Sequence, residues 1–77
     1  MTVLEASYEF GCKVYMTSEG DTLHSIVALL YEDFSDVYYM VLKKLNLRFD
    51  WFSLPAGVEI KYLSKTACSN VFEVVSE

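Results

Sequence analysis

The apolar positions along this chain change their spacing several times, and each change marks an element. Residues 2–10 and 12–16 carry aromatic and β-branched side chains at short intervals and read as extended, with Gly11 as a bend before the strand Cys12-Lys13-Val14-Tyr15-Met16. Thr17-Ser18-Glu19-Gly20-Asp21 is a polar turn. Leu23, Ile26, Val27 and Leu30 then fall at i, i+3, i+4 and i+7, one apolar stripe of a helix that Asp21 or Thr22 caps. Leu29 lies off that stripe. Glu32-Asp33-Phe34 ends the helix, and Ser35 or Asp36 opens a second one. On it Val37, Tyr38, Val41, Leu42 and Leu45 share one side, while Asp36, Tyr39, Met40, Lys43 and Lys44 share the other. Residues 46–53 form a loop holding Phe49, Trp51 and Phe52. Leu54-Pro55-Ala56-Gly57 is a turn. Val58–Leu63 begins with the alternation of a half-buried strand, Ser64–Asn70 is a polar connector, and Val71–Val75 reads as a further strand.

The order is strand, helix, helix, strand. Two short helices need an apolar platform, and flanking strands paired antiparallel supply one. The expected class is α+β, with two helices packed on a small antiparallel sheet across residues 12–63 and extended segments at 1–11 and 64–77.

Composition changes this picture in one respect. A chain of 77 residues is one domain that buries only about 60% of its unfolded surface, and so small a core rarely supplies more than roughly 3–5 kcal/mol unaided. Yet 53% of the residues are hydrophobic and 16% aromatic, more than such a core needs. The surplus is expected at contacts with other subunits. Two cysteines and one histidine make neither a disulfide-dense scaffold nor an ordinary zinc site, so Cys12 and Cys68 read as buried thiols. A net charge of −5, with the six basic residues scattered, argues against nucleic acid and anionic membranes as partners. No apolar run approaches the ~20 residues that span a bilayer. The first residues lack a basic stretch followed by an apolar one, so no secretory signal is expected.

Candidate chemistry is sparse. His24 stands on the flank of the first helix, and Ser25 points about 100° away from it, so spacing nominates no nucleophile with its base. Cys12 with His24 has no supporting motif. Glu19 with Asp21 and Glu32 with Asp33 read as a cap and a solvated helix end. No metal, phosphate or dinucleotide motif is present. The expectation is a protein that is no enzyme and holds no cofactor. What remains is apolar: Leu29, Tyr39, Met40, Phe49, Trp51, Phe52, Val71, Phe72 and Val74 are the candidate partner contacts. For Trp51 and Phe52 the other reading is that they fold back over the core.

The joints between elements carry a resemblance. Gly20-Asp21-Thr22-Leu23 with Ile26 three residues on, Leu42, Leu45 and Asn46 at the end of the second helix, and Leu54-Pro55-Ala56-Gly57-Val58 before the last strand resemble the LysM domain in order and spacing. The alanine between Pro55 and Gly57 departs from the family's usual joint and is similar to the LysM-like tail protein X group of phages and related contractile injection machines. That resemblance implies a structural subunit of a phage tail or baseplate. It would assemble in the host cytoplasm, reside in the virion and bind other tail or baseplate subunits, with its end segments adding strands to neighbours or to its own sheet. The wider family implies a different role, a module that grips N-acetylglucosamine polymers such as peptidoglycan. Its groove would map to Gly20, Asp21, Thr22, Leu23, Phe52, Leu54 and Pro55.

Overall fold

The computed structural model of the protein describes residues 1–72. Six elements follow one another: α1 (Val3–Phe10), β1 (Lys13–Met16), α2 (Leu23–Tyr31), α3 (Asp36–Leu45), β2 (Glu59–Tyr62) and α4 (Lys65–Cys68). β1 and β2 pair antiparallel, with Tyr15 opposite Ile60 and Val14 opposite Lys61. Ile60 is buried and Tyr15 half-buried on one face, whereas Val14 and Met16 on the other are exposed. The class is α+β, as expected.

The N-terminal segment is a helix, not an extended strand. Thr2 and Glu5 form a capping box: the Thr2 hydroxyl accepts from the Glu5 amide at 3.1 Å, and the Thr2 amide donates to Glu5 Oε1 at 2.9 Å. Gly11 ends the helix with φ of +76°, a conformation that favours glycine. The connector after β2 also contains a helical turn, α4, capped by the Ser64 side chain accepting from the Ala67 amide. Of the strand expected over Val71–Val75, Val71 and Phe72 have no strand assignment, and the rest lies outside the described residues.

These two helices change what the core is. α1 packs on α4, and both pack on α3, which also touches α2 and β2. α3 is thus covered over a wider arc than a two-helix hairpin requires. Met40, expected on its outer face, is therefore buried beside Tyr38, Val41 and Leu42. Val71, expected in a partner-seeking tail, is likewise buried, and Tyr39 is half-buried. Of the two thiols, Cys68 is buried and Cys12 is exposed, so the expectation of two buried thiols fails at Cys12. Cys12 precedes a strand whose outer face, Val14 and Met16, is exposed among the described residues.

Two buried polar side chains hold the sheet to the rest. Thr17 continues β1 past its end: its amide donates to the Val58 carbonyl, and its carbonyl accepts from Gly57. Its hydroxyl donates to the Pro55 carbonyl at 2.8 Å and accepts from the Val58 amide at 2.9 Å. One side chain therefore closes the Pro55–Val58 turn. Thr17→Val keeps the shape and removes both side-chain bonds, leaving the Val58 amide without its acceptor. A loss of about 1–2 kcal/mol is expected, read as a lower urea midpoint with unchanged slope. An unchanged midpoint refutes the clamp.

Candidate functional site

The joint between β1 and α2 is a tight polar network. Gly20 takes a φ of +84° to turn the chain. Asp21 accepts from the Ser18 amide at 2.8 Å and from the Tyr15 hydroxyl at 2.7 Å through one oxygen, and from Ser25 Oγ at 3.4 Å through the other. The amide bond from Ser18, then the Tyr15 bond, hold its carboxyl below the usual range. The same bond raises the Tyr15 phenol. Thr22, not Asp21, is the N-cap of α2: its hydroxyl accepts from the Ser25 amide, and its own amide donates to Ser25 Oγ. The polar groups of Asp21 and Thr22 are thus spent on the fold.

Opposite this joint the loop after α3 is built from successive turns. The Asn46 carbonyl accepts from the Phe49 amide at 3.4 Å. Asp50 accepts from the Phe52 amide through its side chain and from the Ser53 amide through its carbonyl. The loop sets Phe49 and Trp51 against each other, ring centres 6.2 Å apart, half-buried on the edge of the core. Phe52 points away and is fully exposed, at 102%. Trp51 thus packs against the core, and Phe52 does not.

Between the two joints lies an open, mainly apolar cleft of about 570 Å³. Thr22, Leu23 and His24 form one wall, Tyr39 and Lys43 of α3 the floor, and Phe49, Asp50, Trp51 and Phe52 the other wall. His24 Nδ1 lies 2.8 Å from the Tyr39 hydroxyl, and its ring stacks on Phe34 at 4.6 Å. That contact ties the start of α2 to α3 and sets the polar edge of an otherwise greasy surface. A ligand that suits this cleft offers a flat apolar face to the rings and one or two polar groups to His24, Tyr39 or Asp50.

The two sets of residues expected from sequence meet here. Thr22 and Leu23 come from the sugar-groove set, Tyr39, Phe49 and Trp51 from the partner set, and Phe52 from both. Gly20, Asp21, Leu54 and Pro55 do not line the cleft: Leu54 packs on the core, and Pro55 lends its carbonyl to Thr17. Leu29 is exposed at 62% on α2, and Phe72 at 79%, each away from the cleft lining. Val74 lies outside the described residues. Sequence reasoning missed His24, Lys43 and Asp50 as lining residues; the i+4 step from Tyr39 to Lys43 was the available signal for one of them.

Among the described residues, no group of three or more His, Cys, Asp or Glu side chains could hold a metal ion, and no helix is long and apolar enough to cross a membrane. Comparison with protein-family models, curated proteins and solved structures returns no match.

Proposed function

We propose that this protein is a LysM-like docking subunit of a phage tail or baseplate, a small rigid adaptor that joins neighbouring subunits. Supporting this are the run β1–α2–α3–β2 and the motif residues at its joints, Gly20-Asp21-Thr22-Leu23, Asn46 and Pro55-Ala56-Gly57-Val58. The observation that carries the reading is the exposure of large apolar side chains on a fold whose own core is closed. Phe52, Leu29 and Phe34 stand out from a body in which, among the described residues, no buried polar side-chain atom lacks a partner. Such groups raise no stability where they are; they fit pockets on another protein.

The test is co-sedimentation with tail particles assembled in cells that make them. Phe52→Ser is expected to cut incorporation at least tenfold, a loss of about 1.4 kcal/mol or more of docking energy, with the thermal midpoint unchanged. Wild-type protein that never enters particles overturns the reading.

A second reading has one observation in its favour. The cleft takes in Thr22, Leu23 and Phe52 of the groove that the LysM resemblance implies, and its rings suit the apolar faces of N-acetylglucosamine units. Retention on insoluble peptidoglycan, competed off by free chitooligosaccharide and lost in Trp51→Ala, would favour the sugar reader over the adaptor.

A further inference from the structure

The six cations of this chain are scattered in sequence among eleven acids, and the fold gathers half of them in one place. Lys44, Arg48 and Lys61 line a concavity of about 460 Å³ at the C-terminal end of α3, with Leu47 and Phe49 in its walls and Glu59 on its far side. They meet there because the Asn46 side chain bonds the backbone of Lys61 to the end of the helix. The other end of α3 carries a surface of opposite sign. The link from α2 is Glu32-Asp33-Phe34-Ser35, Asp36 opens α3, and all five residues are exposed. Phe34 stands among the three carboxylates at 53% exposure, with one side of its ring on His24. The ten residues of α3 set this corner about 15 Å from the groove, so one chain does not lay its own corner in its own groove. A neighbouring copy does not have that restriction. An aromatic ring flanked by acids matches a groove of apolar walls flanked by cations, both in hydropathy and in charge. The net charge of −5 opposes association of copies, but at physiological salt charges more than about 8 Å apart are screened, whereas pairs in contact are not.

We propose that the corner at residues 32–36 of one copy docks in the groove of a second copy, with Phe34 against Leu47 and Phe49 and its acidic neighbours beside Arg48 and Lys61. The contact is heterologous. Each copy offers a groove at one end of α3 and a corner at the other, so copies add head to tail into a ring or a stack. Exposed ion pairs add little affinity each; they set the orientation, and burial of the Phe34 ring holds the contact. This self-association does not depend on what the cleft beside His24 takes.

Analytical ultracentrifugation of the full chain at physiological salt tests this. Wild-type protein is expected to grow beyond its 8.8 kDa monomer as its concentration rises to about 1 mM. Arg48→Glu with Lys61→Glu spoils the groove and leaves the corner intact; Phe34→Asp spoils the corner and leaves the groove intact. All three side chains are exposed and outside the core, so the fold is retained. Each variant alone is expected to associate at least about tenfold more weakly than wild type. An equal mixture of the two is expected to form a one-to-one dimer and nothing larger, because it holds one intact corner for each intact groove. Wild-type protein that stays monomeric overturns the proposal, and so does a mixture that stays monomeric. Either variant self-associating as wild type does would also overturn it, since a contact of two like surfaces spares one of the two.

Discussion

Asn46→Ala is expected to remove about 2–4 kcal/mol, most of the stability a domain of this size commands. Asn46 follows α3 and is buried. Its Nδ2 donates to the Leu42 carbonyl and the Lys61 carbonyl, each at 2.8 Å, and its Oδ1 accepts from the Lys61 amide at 2.9 Å. The side chain thus closes the end of the helix and behaves as one residue of a missing third strand along β2. The register explains why Lys61 needs it. Thr17 bonds Val58, so alternate residues of β2 turn their backbone groups toward β1, and Lys61 turns its own away. Alanine strands three backbone groups, each worth about 1 kcal/mol, and opens a small void. The expected result is a urea transition shifted to far lower midpoint, with a large unfolded fraction before any denaturant is added. Asn46→Asp fails almost as badly, because a carboxylate keeps the acceptor but turns an oxygen on two carbonyls. Full stability in Asn46→Ala would mean that α3 and β2 are held by apolar contact alone.

The same residue shows how much of the fold was legible. Asn46 was readable as a helix-ending residue because Asn tolerates the local turn and bonds backbone groups nearby. Its partner at Lys61, fifteen residues on, was not, since nothing local in sequence states which strand edge will pass a helix end. The stripes of α2 and α3 and the alternation of β2 were legible because each repeats its period over several residues. α1 was not read, although Thr2-x-x-Glu5 is a capping box followed by apolar Val3 and Ala6 at helical spacing. Tyr8 and Phe10 gave the segment a strand-like composition that outweighed the box. That one miss propagated. With α1 and α4 absent, Met40 belonged on an outer face and Val71 in a free tail; with both present, each is core. The cleft was half legible. Its aromatic wall was visible as a crowd of rings, but the meeting of that wall with Thr22 and Leu23 depends on how α3 sits under α2, which is tertiary packing.

The second large effect is an alkaline unfolding that starts from one pair of groups. The Tyr31 hydroxyl donates to the Leu63 carbonyl at 2.8 Å, with Cys68 Sγ 3.9 Å from that hydroxyl and 3.8 Å from the same carbonyl. Tyr38 stacks on the Tyr31 ring at 4.2 Å, and Tyr62 meets it edge-on. Desolvation, then the nearby thiol's charge when ionised, raises the Tyr31 phenol far above its ordinary 10.0. Desolvation likewise raises the Cys68 thiol above its ordinary 9.0. Both folded-state values lie above the unfolded ones, so the fold keeps protons that the unfolded chain releases. Stability from this source is complete below pH 9 and is lost as pH rises past the unfolded values, first for the thiol and then for the phenol. Each group contributes at most about 1.4 kcal/mol per pH unit, less where water reaches the ring edge and screens it. The phenol's slope alone exhausts a margin of roughly 3–5 kcal/mol within about two to four pH units above its unfolded value, and the thiol's adds to it from a lower pH. The protein is therefore expected to unfold cooperatively near pH 11 to 12, the helical signal falling together with ionisation of the last of its six tyrosines. In Cys68→Ala the decline is expected to begin a unit higher, from the phenol alone. Ionisation of every tyrosine with the helical signal intact would show that water reaches this hydroxyl in the native state, and that the buried knot joining α2, the end of β2 and α4 is looser than its geometry.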